Sequence, residues 1–111
     1  MDSPALQPLI VTTGWNVEYH QFFTLEPTPE LVEGPELWFK EDMYQARNER
    51  RNRLIDLGWY PEGKFDAGSF GLVLYEGDFR GQLLAELRSK DRLEVVSKIN
   101  EWFASVSNGD M

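Results

Sequence analysis

Apolar and polar residues alternate from Trp15 onward. Trp15, Val17, Tyr19, Phe23 and Leu25 take odd positions, Asn16, Glu18, His20 and Thr24 take even ones, and Gln21 and Phe22 are out of phase. A period of two over residues 15–25 predicts a strand with one buried and one wetter face. Further on, Asp42 with Gln45 three residues later forms a capping box. Met43, Ala46, Arg50, Leu54 and Leu57 follow at three-or-four spacing, and Gly58 stands where a helix C′ residue belongs. That pattern predicts a helix over 42–57. Phe70, Leu72 and Leu74 alternate with Gly71, Val73 and Tyr75, which predicts a central strand over 69–76, apolar on both faces. Gly77 to Gly81 reads as a hairpin loop leading to a partner strand over 82–88. Asp91 and Glu94 make a second capping box, and Val95, Val96, Ile99, Trp102 and Phe103 form the apolar stripe of a helix over 91–104.

Between these elements, Glu26 to Pro35 reads as a loop with one helical turn, Thr28 as its N-cap and Pro29 at its first position. Leu37-Trp38-Phe39 is short enough for a brief strand. Residues 1–13, with Pro4 and Pro8 and no period, read as a frayed arm whose Leu9, Ile10 and Val11 lie on the sheet edge. Residues 105–111 read as a polar tail. The expected architecture is α+β: one domain over 14–104, an antiparallel sheet with two main helices packed on one face. A chain of 111 residues with 41% hydrophobic and 14% aromatic content can bury such a core.

Charge changes the picture more than composition does. Nineteen acidic residues against eleven basic ones give a net charge of −8, which disfavours nucleic-acid backbones and anionic lipid surfaces as partners. It suits either plain solubility or the steering of a basic partner. No cysteine is present, so disulfides, thiol catalysis and thiolate metal sites are excluded. No stretch is apolar enough to span a membrane, and the first residues carry no basic region of a signal peptide, so a cytosolic protein is expected. His20 is the single histidine, on the polar side of its strand with no nucleophile or orienting partner in view. The glycines punctuate turns and strands, with no phosphate-cradle spacing. The arginine run Arg47, Arg50, Arg51, Arg53 is interrupted by Glu49 and Asp56 and reads as a solvated, salt-bridged helix face, with Arg50 lying along its core side. No catalytic residue, metal site or cofactor is expected.

The informative segment is acidic. Glu26, Glu30, Glu33, Glu36, Glu41 and Asp42 stand against Lys40 alone, a local excess of five negative charges, interleaved with Leu31, Leu37, Trp38 and Phe39. Carboxylates around large apolar side chains suit the docking of a basic protein, the charges steering and the aromatics supplying most of the energy. A solvated loop with Trp38 and Phe39 turned inward would have the same sequence. Trp15 and Trp102 read as core, whereas Trp38-Phe39 and Trp59-Tyr60 serve either the core or a partner. The expected contact set is Glu26, Glu30, Glu33, Glu36, Trp38, Glu41, Asp42 and Trp59, with Glu62, Asp66 and Asp78 of the later loops as second choices.

Three strings carry a resemblance. They are Gly14-Trp15-Asn16-Val17-Glu18-Tyr19 with Phe22-Phe23-Thr24-Leu25-Glu26-Pro27, then Arg51-Asn52-Arg53-Leu54-Ile55-Asp56-Leu57-Gly58-Trp59-Tyr60-Pro61, and Ser89-Lys90 with Leu93-Glu94-Val95-Val96 and Ile99-Asn100-Glu101-Trp102. Over residues 14–103 the chain resembles small immunity proteins of bacterial polymorphic toxin systems, including the contact-dependent growth inhibition type. The resemblance implies a non-enzymatic cytosolic protein that binds a cognate toxin domain and blocks its active site or substrate access. Such toxins are often nucleases with basic grooves, which an acidic inhibitor would complement. A small acidic adaptor or ligand-binding domain is the alternative.

Overall fold

Five strands pair in sequence order into one antiparallel sheet, β1-β2-β3-β4-β5. The computed structural model describes residues 4–111. The strands are β1 (Trp15–His20), β2 (Tyr44–Asn48), β3 (Arg53–Tyr60), β4 (Ser69–Glu76) and β5 (Gln82–Ser89). The helices are a single turn, α1 (Pro29–Glu33), and a long one, α2 (Arg92–Ser107). The α+β class is therefore observed, with one main helix in place of two.

The segment 42–57, expected as a helix, is instead a β-hairpin. Its turn spans Glu49 to Asn52: the Asn48 side chain accepts from the Arg51 N–H at 3.0 Å, and the Asn52 N–H donates to the Glu49 carbonyl at 3.2 Å. Asn52 holds a left-handed φ of 59°, which asparagine tolerates better than most residues. The apolar residues that suggested three-or-four spacing also satisfy a period of two. Tyr44 and Ala46 on β2, and Ile55, Leu57 and Trp59 on β3, point into one core and are almost completely buried. As a helix, this segment would leave β4 without its inner neighbour. Tertiary pairing thus overrides the local capping signal. Gly58, expected to end a helix, sits mid-strand opposite Gly71.

The core lies between one sheet face and α2. Phe70, Leu72 and Leu74 of β4 meet Val95, Ile99, Trp102, Phe103 and Val106 of α2, and Val32 of α1 joins the same cluster. Burying each such side chain contributes about 1.5–3 kcal/mol. The Asp91 carboxylate caps α2 by accepting from the Leu93 and Glu94 N–H groups, while the Asp91 N–H donates to Ser89 Oγ rather than to Glu94, so only half of the expected capping box forms.

Several boundaries differ from expectation. β1 stops at His20, and an irregularity between Val17 and Tyr19 shifts its phase. Val17, although opposite the buried Ala46, is exposed on this edge strand, while the out-of-phase Phe22 is fully buried. Leu37-Trp38-Phe39 forms no strand, although Phe39 is core. α2 continues to Ser107 with Val106 buried, so the polar tail begins later than 105.

The described part of the N-terminal arm is tied down rather than frayed; residues 1–3 lie outside the described residues. Gln7 donates its N–H to the Phe22 carbonyl at 2.7 Å, Ile10 to Asn100 Oδ1 at 2.9 Å, and Thr12 Oγ1 to the Phe103 carbonyl at 2.9 Å. Residues 5–7 pair antiparallel with 22–24, just past β1, and residues 10–12, expected on the sheet edge in part, lie instead along α2. Unsatisfied backbone groups decide this more than the arm's weak hydropathy.

Candidate functional site

Directly opposed residues of an antiparallel pair share a sheet face, so the register defines what the face turned away from α2 presents. One row crosses all five strands: Tyr19, Gln45, Asp56, Val73 and Glu86. A neighbouring row runs Asn16, Arg47, Leu54, Tyr75 and Leu83. On the other side of Asp56, Gly58, Gly71 and Arg88 form a shorter row.

The two opposed glycines lower the floor of this face. A Cβ on Gly71 would meet the Tyr60 ring at 3.0 Å, and one on Gly58 would meet the Glu41 carbonyl oxygen at 2.0 Å. Tyr60 occupies the vacated space, donates its hydroxyl to that same Glu41 carbonyl at 3.0 Å, and carries the Arg88 guanidinium 5.7 Å above its ring. The Glu41 backbone is held close by the bonds on either side of it: Trp59 N–H donates to the Lys40 carbonyl and Met43 N–H to the Leu57 carbonyl. Asp42, in the same stretch before β2, lines one hollow with Asp56.

Asp56 is the centre. It is 8% exposed and lines both hollows of this face. The first, of ≈ 310 Å³, is bounded by Glu18, Tyr19, Asp42, Tyr44, Gln45 and Asp56. The second, of ≈ 240 Å³, runs from Asp56 past Tyr60, Val73 and Tyr75 to Phe79, Glu86 and Arg88. Among the described residues, neither a hydrogen bond nor an ion pair engages the Asp56 carboxylate. Burial, and then the nearby Asp42 charge, push its pKa up to about 6. Tyr60 is pushed up to about 12 by burial and by the Asp56, Asp42 and Glu41 carboxylates, with Arg88 opposing. An apolar margin borders the second hollow. Phe79 is 53% exposed and packs 5.9 Å from Tyr75, and Leu83 and Leu84 are exposed on the β5 edge.

The structure divides the residues singled out from sequence. Glu41 and Asp42 fall at this face, and Glu62 joins them by accepting from the Glu41 N–H at 3.0 Å. Asp78 lies in the loop that carries Phe79, and a hydrogen bond from the Arg80 N–H holds its carboxyl below the usual value. The others lie elsewhere. Glu26 pairs with Arg92 of α2 at 2.7 Å, and Glu33 accepts from the Phe65 N–H. Glu30 and Glu36 are exposed around α1, and Asp66 is exposed in the β3–β4 loop. Trp38 is half-buried, edge-on to Phe23. Trp59 is fully buried, with its indole N–H donated to the Lys64 carbonyl, so it is core and has no surface to offer a partner.

The arginine run is distributed along the hairpin, not along a helix. Arg47 pairs with Glu18, Arg53 with Glu76, Arg51 reaches the Ser107 carbonyl, and Arg50 stands exposed in the turn.

His20 has both ring nitrogens engaged by backbone. Nδ1 accepts from the Phe22 N–H, so Nε2 carries the proton donated to the Gln7 carbonyl. Burial lowers its pKa, opposed by that carbonyl. Among the described residues, no three His, Asp or Glu side chains gather so as to hold a metal ion, and no helix is long and apolar enough to cross a membrane.

Tyr60, open from sequence between core and partner, lies at this face, whereas Asp56, Tyr19, Tyr75, Phe79, Glu86 and Arg88 were not singled out from sequence. A carboxylate inside the otherwise apolar run Leu54 to Trp59 is the one local signal that could have marked this face. Comparison with known protein families, curated proteins and solved structures finds no match for this chain.

Proposed function

We propose that this chain is a non-catalytic binding protein whose open sheet face engages a basic protein. In this reading the partner is a bacterial toxin domain, which the chain neutralises in the cytosol by covering its functional surface. The observation that carries the reading is the pair of hollows meeting at Asp56. A nearly buried carboxylate with no internal partner costs stability, and a partner supplying positive charge would offset that cost. Phe79, Tyr75 and Leu83 at the margin supply the apolar area that a stable interface needs. The resemblance to immunity proteins supports the toxin as the partner, and the net charge of −8 supports its being basic.

The test is binding to the protein encoded beside this one, with two truncations compared. Phe79→Ala and Tyr75→Ala should each raise the dissociation rate, costing about 2–4 kcal/mol, whereas Trp38→Ala should leave the complex intact. A Trp38-dependent complex indifferent to Phe79 and Tyr75 moves the interface to the 26–38 loop. No binding by the wild type to that neighbour removes the toxin reading.

A further inference from the structure

The hollow on the β1–β2–β3 side of Asp56 has a more specific chemistry than the face around it. Three carboxylates line it, from Glu18, Asp42 and Asp56, and among the described residues no lysine or arginine does. Glu18 is already engaged, accepting from Gln45 Nε2 at 2.8 Å and pairing with Arg47 at 3.5 Å. Asp56, more than nine-tenths buried, has neither kind of partner within the chain.

We infer that this hollow receives one arginine side chain of the partner, its guanidinium held by Asp56 and Asp42 with the Tyr19 side chain alongside. The inference rests on the proposed binding role of the face. Arginine suits the site better than lysine for two reasons. Its planar fork of five donors can serve two carboxylates at once. It is also more weakly hydrated than an ammonium, so it loses less on approaching a nearly buried acid.

Propylguanidinium, the arginine side chain without its backbone, tests this on the intact protein without the partner, with butylammonium as the corresponding lysine side chain. Titration at constant ionic strength, followed by amide NMR, should give saturable shifts confined to Tyr19, Asp42, Gln45 and Asp56. Binding should be several-fold tighter than that of butylammonium, and Asp56→Asn should weaken it at least about tenfold. Asp42→Asn, a surface change that leaves the core intact, should weaken it less. The inference is overturned by shifts that do not saturate, by equal binding of the two cations, or by unchanged binding to the Asp56→Asn protein. These outcomes bear on the hollow alone. A partner complex that forms normally with the Asp56→Asn protein would leave the binding face standing and remove only its arginine.

Discussion

Asp56 carries a carboxyl that titrates differently in the folded and the unfolded chain. In the unfolded chain its carboxyl titrates near 3.8, and in the folded protein burial and Asp42 raise that value to about 6. Between those two values the folded state binds more protons than the unfolded one, so stability falls as pH rises through the window and levels off above it. Below about pH 3.8 the penalty is absent. Asp42 and Glu41 from the stretch before β2, Glu18 and Tyr19 from β1, Tyr60 from β3, and Glu86 with Arg88 from β5 surround the group, and Arg88 alone of these is cationic. Asp56→Asn should therefore stabilise the protein by about 1–3 kcal/mol near pH 8, allowing for solvent screening at the open hollow, with the gain fading by about pH 4. Urea unfolding at both pH values measures it. A loss of stability at the higher pH, or an equal gain at both, contradicts the role given to this side chain. A residue that costs stability yet sits at the meeting point of two hollows fits a binding role better than a structural one.

At the scale of elements, α2 and the β4–β5 hairpin were legible and the β2–β3 hairpin was not. The α2 stripe has one period and a capping acid, and Val95, Ile99 and Phe103 are buried as that stripe predicts, with Val96 only half-buried at its margin. Ile99→Ala should cost about 2–5 kcal/mol in chemical denaturation; a cost below about 1 kcal/mol would mean that α2 is not the lid of the core. The segment 42–57 satisfied two periods at once. Its turn, Glu49-Arg50-Arg51-Asn52, contains no glycine or proline to announce it. Asn52 is the residue that gives the turn away, through its left-handed backbone. Asn52→Val should destabilise the protein by about 1–2 kcal/mol and Asn52→Gly by much less; equal effects would deny the turn its conformational demand. The same ambiguity conceals the site in the sequence. Asp56, Gly58 and Tyr60 share a face only when the segment is a strand.

The whole molecule divides its charge unevenly between two candidate surfaces. The resemblance and the net charge of −8 suggest a basic partner without choosing where it lands. The 26–36 loop has exposed carboxylates, but Glu26 and Glu33 are committed to Arg92 and to the Phe65 N–H. The sheet face combines Asp42, Asp56 and Glu86 with an exposed aromatic margin, joining steering and apolar contact in one place. The direct test is the association rate with the protein encoded alongside, measured at low and physiological ionic strength for wild type and two charge reversals. Asp42→Lys with Glu86→Lys should slow association by about tenfold or more at low salt and flatten its salt dependence, while Glu30→Lys with Glu36→Lys should change the rate far less. A sheet-face variant that associates like wild type, beside a loop variant that does not, contradicts the claim that this face is the binding surface.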